Sequence, residues 1–265
     1  MERLLFNEAE PPPALAAHRA LQFGDGVFRT MLVYQGEVHD LQGQWAHLLQ
    51  DARALALDID EPEAVLQSLR DAAAGVALAR LKLILLRAQR PAGADRLLQL
   101  EAFKPGDARA WTLGVSPQPL SRSNKFAGIK HLNRLELLRA TAAWTESAAV
   151  AADEVLLCDD QAQVVCGGRS NVFWGKEGQL CTASLAACGV AGRSRARVLQ
   201  AAAELAMEVQ VRDAPLAELE AADEVFACNS LHGIKPVSSI DRWAFAVPGP
   251  MTAALQQSLA HPLNR

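Results

Sequence analysis

The sequence predicts an α/β protein of the α+β type, and three observations support this fold class. The chain has 265 residues, half of them hydrophobic and 21% charged, which is enough for one large or two medium hydrophobic cores. Segments typical of strands and helices are mixed without strict β–α–β alternation. Residues 116–124, SPQPLSRSN, are rich in proline and serine, which is typical of a linker between two domains.

The first half of the chain predicts one hairpin, two helices and three further strands. Residues 27–41 read as two strands joined at Gln35-Gly36, because glycine tolerates the positive φ of a tight turn. Apolar residues recur at spacings of three and four over 44–57, which predicts an amphipathic helix, and a second helix is predicted over 62–74. Further strands are predicted for the apolar runs at 80–87, 96–103 and 110–116.

The second half predicts helices at both ends of a β-rich region. A helix is predicted past Lys130, with an apolar pattern that begins at Leu132, and it runs to about Ser147. Two hairpins follow, over 153–166 and 170–182, with turns at 159–162 and 176–178. A glycine-rich turn then leads into a long helix, three more strands are predicted, and a terminal helix begins near Met251.

Composition excludes several classes of function. The formal net charge is −4 and no block of lysine and arginine occurs, so we expect no nucleic-acid or membrane-surface binding. We also expect no membrane span and no signal peptide, and therefore a cytoplasmic protein. The five cysteines are scattered without CxxC spacing, which indicates reduced thiols, and no cluster of histidine and cysteine predicts a metal site.

Several residues could carry chemistry, although each also has an ordinary structural interpretation. Lys130 is either a solvated charge at an element boundary or a reactive amine, and its composition and spacing alone favour the solvated charge. The segment GVAGRSR at 189–195 is either a tight turn or an anion site formed by the first N–H groups of a helix. His47 reads as a histidine at the edge of an apolar stripe, and Cys166 as a small core residue.

Five segments, taken in their order along the chain, resemble the fold-type IV pyridoxal-phosphate enzymes. They are FGDGVFRT at 23–30, GIKHLNRLE at 128–136, SNVFW at 170–174, GVAGRSR at 189–195 and CNSLHGIKPV at 228–237. This family includes branched-chain and D-amino-acid aminotransferases and 4-amino-4-deoxychorismate lyase. The second and fifth segments resemble the lyase more than the aminotransferases.

The resemblance implies a domain organisation and a cofactor. We expect a smaller N-terminal α/β domain over 1–115, a linker over 116–124 and a larger C-terminal α/β domain over 125–265. The active site is expected in the cleft between the domains, with pyridoxal 5′-phosphate as cofactor, a small-molecule substrate and a homodimer as the assembly.

The resemblance also implies roles for individual residues. Lys130 matches the Schiff-base lysine, which also acts as acid and base, and Thr30 matches a hydroxyl near the substrate. Arg29 or Arg193 could meet the substrate carboxylate, on the basis of charge alone. The positions implied for the cofactor phosphate are Gly192, Arg193, Ser194, Asn229 and Ser230.

Three positions depart from the family pattern. Cys166 replaces the glutamate that holds the pyridine nitrogen protonated, and a neutral thiol cannot form that ion pair. His47 replaces the arginine of an HxxRL pattern, which reads QWAHL here, so a bidentate contact to the phosphate is lost. The segment RAQRPAGADR at 87–96 replaces a glycine-rich stretch with a tyrosine. Cofactor binding could therefore be weakened or lost, unless Arg193 or a protonated His47 replaces the missing contacts.

These departures favour the lyase among the members of the family. Transamination must store charge in the pyridine ring, whereas elimination of pyruvate from aminodeoxychorismate forms an aromatic ring and needs a weaker electron sink. We therefore expect a lyase that makes 4-aminobenzoate for folate synthesis. Two alternatives stay open: an enzyme of the same fold that acts on a chorismate-like substrate without pyridoxal phosphate, and a non-catalytic dimeric binding or scaffold protein. An aminotransferase is less favoured.

Overall fold

The computed structural model of the chain describes residues 2–88, 93–147 and 151–264. The chain forms two compact units: the first comprises Met1–Gly106 and Ile129–Asn133, and the second comprises Asp107–Gly128 and Arg134–Arg265. Each unit packs helices against a β-sheet, which confirms the α+β prediction. Part of the predicted departure at 87–96, residues 89–92, lies outside the described residues. Over the described ranges, no helix combines the length and the hydrophobicity needed to cross a bilayer.

The first unit is built on an antiparallel sheet of five strands, in the spatial order β1-β5-β4-β2-β3. Its elements are β1 (Arg3–Phe6), a 3₁₀ helix (Pro13–Ala17), α1 (Arg19–Phe23), β2 (Gly26–Tyr34), β3 (Glu37–Val38), α2 (Leu41–Ala54), α3 (Pro62–Ala73), β4 (Leu78–Arg87) and β5 (Ala94–Ala102). The predicted turn between β2 and β3 is confirmed, since Gln35 and Gly36 both have positive φ, 52° and 85°. The α2 helix begins three residues earlier than predicted.

The two faces of β2 differ in character, and this difference positions the candidate site. Val27 and Met31 lie in the core cluster that also contains the buried residues of α2 and α3. Phe28 packs in a different apolar cluster, with Ile84 of β4. Because side chains alternate along a strand, Thr30 shares the face of Phe28.

The second unit is built on a larger sheet, with the path β11-β10-β9-β12-β13-β6-β7-β8 and β14 paired to β13. Its elements are β6 (Trp111–Val115), α4 (Leu135–Ser147), β7 (Glu154–Cys158), β8 (Val164–Gly167), β9 (Asn171–Lys176), β10 (Gln179–Ala183), α5 (Arg193–Glu204), β11 (Val209–Arg212), α6 (Ala217–Glu220), β12 (Glu224–Asn229), β13 (Gly233–Ile240), β14 (Trp243–Ala244) and α7 (Pro250–Leu259). Phe173 of β9 and Phe226 of β12 stack at 5.0 Å in the apolar cluster shared with α5 and α7. The two predicted hairpins are present as β7–β8 and β9–β10.

The division of the chain differs from the predicted boundaries. The strand β6 belongs to the second unit, because it pairs in parallel with both β13 and β7. The segment predicted as a linker, 116–124, also lies in the second unit, where Leu120 is buried and donates its N–H to the carbonyl of Cys158. Residues 129–133 belong instead to the first unit.

The predicted start of the helix, with its apolar pattern beginning at Leu132, is three residues too early. The helix α4 begins at Leu135, and the preceding residues are hydrogen-bonded to β2. Leu132 joins the apolar cluster of Phe28, whereas Leu135 and Leu138 are 73% and 60% exposed. Leucines spaced three apart therefore do not form one buried helical stripe here.

Candidate active site

Lys130 lies in a short segment whose backbone is fixed against β2. The N–H of Phe28 donates to the carbonyl of Lys130 at 3.1 Å, and the N–H of Leu132 donates to the carbonyl of Gly26 at 2.9 Å. Ile129 is buried in the main core of the first unit. The backbone around Lys130 is therefore anchored on both sides of the lysine.

Asp51 of α2 also holds this segment. Its Oδ2 accepts the backbone N–H of Lys130 at 3.2 Å and the Nη2 of Arg29 at 2.5 Å. The same Arg29 nitrogen donates to the carbonyl of His47 at 3.1 Å. A buried ion pair between strand and helix thus reaches the backbone of the candidate lysine.

These contacts favour a structural role for Arg29 over contact with a substrate carboxylate. The residue is 2% exposed and lies on the core face of β2, opposite to the face of Thr30. His47 is half-buried, and its carbonyl supports the ion pair.

The ammonium of Lys130 lies near an aromatic ring. Its Nζ is 4.8 Å from the centroid of the Phe28 ring, and the Nζ of Lys82 is also 4.8 Å from that centroid. In the sheet register Lys82 lies directly opposite Thr30. Burial, and the nearby charge of Arg80, lower the pKa of Lys82. Two half-buried amines therefore lie near the Phe28 ring, on the face of β2 that also carries Thr30.

Asp51 and Lys82 were not among the site residues predicted from the sequence. A charged residue beside the apolar stripe of α2, between Leu48 and Ala52, was the available signal for Asp51. A lysine within the apolar run of β4 was the signal for Lys82.

In the second unit, the side chain of Asn171 fixes the turn before α5. Its Nδ2 donates to the carbonyl of Val190 at 2.8 Å, and its Oδ1 accepts the N–H of Gly192 at 3.1 Å. The turn is also paired with Gly128, which donates to Gly189 and accepts from Ala191. The sequence marked the SNVFW segment without assigning a role to Asn171.

The N-terminus of α5 has the character of an anion site. Its N-cap residue, Gly192, has no side chain with which to cap the first-turn N–H groups, and the helix dipole adds positive potential there. Arg193 and Ser194 are half-buried in this turn. Arg195 is buried, donates from Nη2 to the carbonyl of Ala183 at 2.8 Å, and has its pKa lowered by burial. The turn predicted for the phosphate thus has residues that suit an anion.

Asn229 and Ser230 lie at the end of β12, also in the second unit. The Oδ1 of Asn229 accepts the N–H groups of Leu231 and His232 at 3.0 and 2.9 Å and lies 3.1 Å from the Nδ1 of His232. This oxygen therefore stabilises its own turn. Ser230 is half-buried next to it.

Cys166 on β8 is 2% exposed and lies in an apolar cluster of the second unit. A thiol at this position supplies no carboxylate for a protonated pyridine nitrogen. Glu154 lies on β7, the strand paired with β8, and is also buried. Its oxygens accept hydrogen bonds from the Oγ of Ser170 at 3.0 Å and from the N–H of Arg169 at 3.2 Å. Its carboxyl, whose pKa is raised by burial, holds the turn between β8 and β9. Taken separately, the α5 turn suits a phosphate group and Lys130 offers an amine to an aldehyde, whereas Cys166 does not suit a protonated pyridine nitrogen.

Comparisons with known proteins agree with the resemblance. The family described as amino-transferase class IV matches residues 26–240. An aminodeoxychorismate lyase from Vibrio harveyi is 33% identical over 238 residues, which cover 84% of this chain and 85% of that protein. A D-alanine aminotransferase from Bacillus licheniformis is 26% identical over 256 residues, covering 92% and 90% of the two chains.

The solved structure of 4-amino-4-deoxychorismate lyase from Pseudomonas aeruginosa superposes with a TM-score of 0.88 at 32% identity, covering 99% of this chain and 100% of that one. The match to the family extends over most of the chain, and members of this family use pyridoxal phosphate. The predicted fold type and family are confirmed: the chain belongs to the class IV aminotransferase family, the fold-type IV enzymes.

Proposed function

We propose that this protein is a 4-amino-4-deoxychorismate lyase, which eliminates pyruvate from its substrate and releases 4-aminobenzoate for folate synthesis. The observation that carries the proposal is the half-buried amine of Lys130 on an anchored backbone, in a chain one third identical to a lyase over most of its length. A cytoplasmic location and a homodimer are further predictions of this proposal.

Lys130 is proposed to hold the cofactor and then to move the proton. When bound, pyridoxal phosphate supplies an electron sink that acidifies the ring carbon bearing the substrate amine. The Nζ of Lys130 removes the proton from that carbon, the ring C–O bond breaks, and the ring becomes aromatic. The same Nζ then returns a proton to the departing enolpyruvyl group, which gives pyruvate.

The anchored backbone suits this role. The hydrogen bonds that hold the segment include two to the backbone of β2 and one to the carboxylate of Asp51. Because the backbone is fixed, rotations within the Lys130 side chain are enough to carry the proton from the substrate ring carbon to the departing enolpyruvyl group. The hydroxyl of Thr30, on the face of Phe28, is proposed to contact the substrate.

The phosphate is proposed to bind at the α5 turn and at the segment after β12. Arg193 and Ser194 would offer N–H groups at the positive end of the helix dipole, and Ser230 would add a hydroxyl. Gly192, whose N–H is bound by Asn171, would let the phosphate approach the backbone because it has no side chain. Asn229 would act by shaping the turn, since its Oδ1 accepts from residues two and three positions ahead. Arg193 is also proposed for the substrate carboxylate.

Cys166 supports elimination rather than transamination. Without a carboxylate at the pyridine nitrogen the cofactor is a poor store of charge, and aromatisation lowers the need for such a store. The same observation favours a second candidate, in which Lys130 acts as a plain base on a chorismate-like substrate without pyridoxal phosphate.

A titration with pyridoxal phosphate, combined with a pyruvate-release assay on aminodeoxychorismate, separates these possibilities. We expect the wild type to develop the visible absorbance of lysine-bound cofactor and to release pyruvate, and Lys130→Ala to do neither. Lys125→Ala removes an exposed lysine five positions earlier and serves as the matched control. Activity without the absorbance, lost in Lys130→Ala, would support the cofactor-free enzyme. Neither absorbance nor activity would indicate a non-catalytic relative.

A further inference from the structure

The residues that follow α7 are hydrogen-bonded to the backbone next to Ser230. The Oδ1 of Asn264 accepts the N–H of Ile234 at 2.7 Å, and its Nδ2 donates to the carbonyl of His232 at 3.0 Å. The Nε2 of His261 lies 3.3 Å from the carbonyl of Ser230. Because the N–H of Leu263 donates to Nδ1 of the same ring, the Nε2 carries the proton and donates to Ser230. We name residues 261–264 the C-terminal latch.

Gly233 permits this close approach. Its φ is +67°, and a Cβ at this position would come within 2.7 Å of His261 Cγ and still closer to Asn264 Oδ1. Glycine is therefore required at this position for two reasons: the backbone conformation and the close contact with the latch. From α7, Gln256 adds a further hydrogen bond, from its Nε2 to the carbonyl of Ile234 at 3.0 Å.

The turn after β12 is thus held by two asparagines from two directions. Asn229 accepts N–H groups from within the turn, while Asn264 binds the backbone of the residues that leave it. The carbonyl of Ser230 itself is bound by His261. These contacts restrict the orientation of the peptide groups on both sides of Ser230.

We infer that the C-terminal latch is a positioning device, which sets Ser230 in place to bind the phosphate of the ligand. This inference rests on the proposed function, since it assigns the phosphate to Ser230. Asn264 is the principal positioning residue because it both donates and accepts. A purely structural latch would affect stability alone, whereas a positioning latch affects the recognition of the phosphate specifically.

A comparison of two ligands that differ only in the phosphate tests this inference. The dissociation constants of pyridoxal phosphate and of pyridoxal are measured by absorbance for wild type, Asn264→Ala and Gly233→Ala. We expect both variants to weaken the binding of pyridoxal phosphate by on the order of tenfold, the loss expected when the phosphate loses one well-placed hydrogen bond, while the binding of pyridoxal changes little. Gln257→Ala, at an exposed position of α7, serves as the control that leaves both constants unchanged.

Equal weakening of both ligands, or of neither, would overturn the positioning role. Hydrogen exchange separates this result from a failure of the proposed function. The amide of Ile234 donates to Asn264, so Asn264→Ala should accelerate its exchange with or without a ligand, and an unchanged rate would overturn the latch itself. A wild type that binds no pyridoxal phosphate would overturn the proposed function and the phosphate role together, while the exchange measurement would still report on the contact. If Asn264→Ala does not fold, Asn264→Asp, which keeps the acceptor for Ile234 and loses the donor to His232, replaces it.

Discussion

The carboxylate of Asp51 accepts the backbone N–H of Lys130, with Oδ2 3.2 Å from the lysine nitrogen. The same oxygen is 2.5 Å from a guanidinium nitrogen of Arg29, and both side chains of this pair are almost fully buried. A residue of α2 therefore links the core of the first unit to the lysine proposed to react. Changes in the ion pair should therefore alter the position of the Lys130 backbone, which the same carboxylate holds.

Removal of the Asp51 carboxylate should destabilise the protein strongly. Asp51→Ala leaves the buried guanidinium of Arg29 without its carboxylate, and such losses typically cost about 3–5 kcal/mol. Urea unfolding measures the change in the free energy of unfolding. Asp71→Ala, at an exposed position of α3, is the control and should change this free energy by less than about 0.5 kcal/mol. The double variant Arg29→Met, Asp51→Leu should recover most of the loss, and equal stability of Asp51→Ala and Asp71→Ala would contradict the assignment.

Local sequence patterns predicted the helices, strands and turns of the fold better than they predicted which segments pair with one another. The β2–β3 turn and the α3 helix follow from a glycine and from apolar spacing, both of which act within a few residues. The Lys130 segment could not be predicted in this way. Its leucines have helical spacing, but the segment pairs with β2 about a hundred residues earlier in the chain, and that contact outweighs local preference.

The same contrast between local and long-range contacts applies to the residues of the candidate site. Lys130, Gly192 and Ser230 could be selected because their order along the chain resembles a known family. Asp51, Asn171 and Asn264 could not, because each acts on the backbone of a residue 79, 21 or 30 positions away, respectively. A side chain that holds another segment's backbone leaves no periodic signal in the sequence.

Substitution of Cys166 tests the expected contact with the pyridine nitrogen. Glutamate and glutamine have similar volumes, so Cys166→Glu and Cys166→Gln should disturb the surrounding apolar cluster alike. Only the glutamate can pair with a protonated ring nitrogen, and we expect it to bind pyridoxal phosphate more tightly than the glutamine variant, by tenfold or so. Absorbance titration gives both constants. Equal affinity and identical spectra would show that Cys166 does not face that nitrogen.

The stability of the protein should fall as the pH is lowered through the range in which His232 titrates. Burial, and the nearby charges of Arg169 and Lys235, lower the pKa of His232 to about 4 from an ordinary value of 6.5. Between these two values the unfolded chain binds a proton that the folded chain does not, so stability decreases as the pH falls from 6.5 toward 4. Unfolding curves recorded at pH 7 and pH 5 measure this decrease.

His232→Gln should make the pH dependence shallower over this window, because the titrating group is gone. Gln257→Ala, at an exposed position of α7, removes no titrating group and should keep the pH dependence of the wild type. If the free energy of unfolding of both variants changes with pH as steeply as that of the wild type, a group other than His232 governs stability in this range.

Gly192→Ala should weaken phosphate binding with little effect on the helix that it precedes. The φ of Gly192 is −73°, which alanine adopts without strain, but the added Cβ would lie 2.5 Å from the Oδ1 of Asn171. That side chain must move, and its hydrogen bonds to Gly192 and Val190 are lost, at a cost of about 1–2 kcal/mol. Displacement of the turn that costs the phosphate one charge-assisted hydrogen bond, worth about 1.5 kcal/mol, lowers the affinity for pyridoxal phosphate by about tenfold. Gly106→Ala, where a Cβ would meet open space, is the matched control and should bind as the wild type does. If Gly192→Ala binds pyridoxal phosphate as tightly as Gly106→Ala, the α5 turn is not the phosphate site.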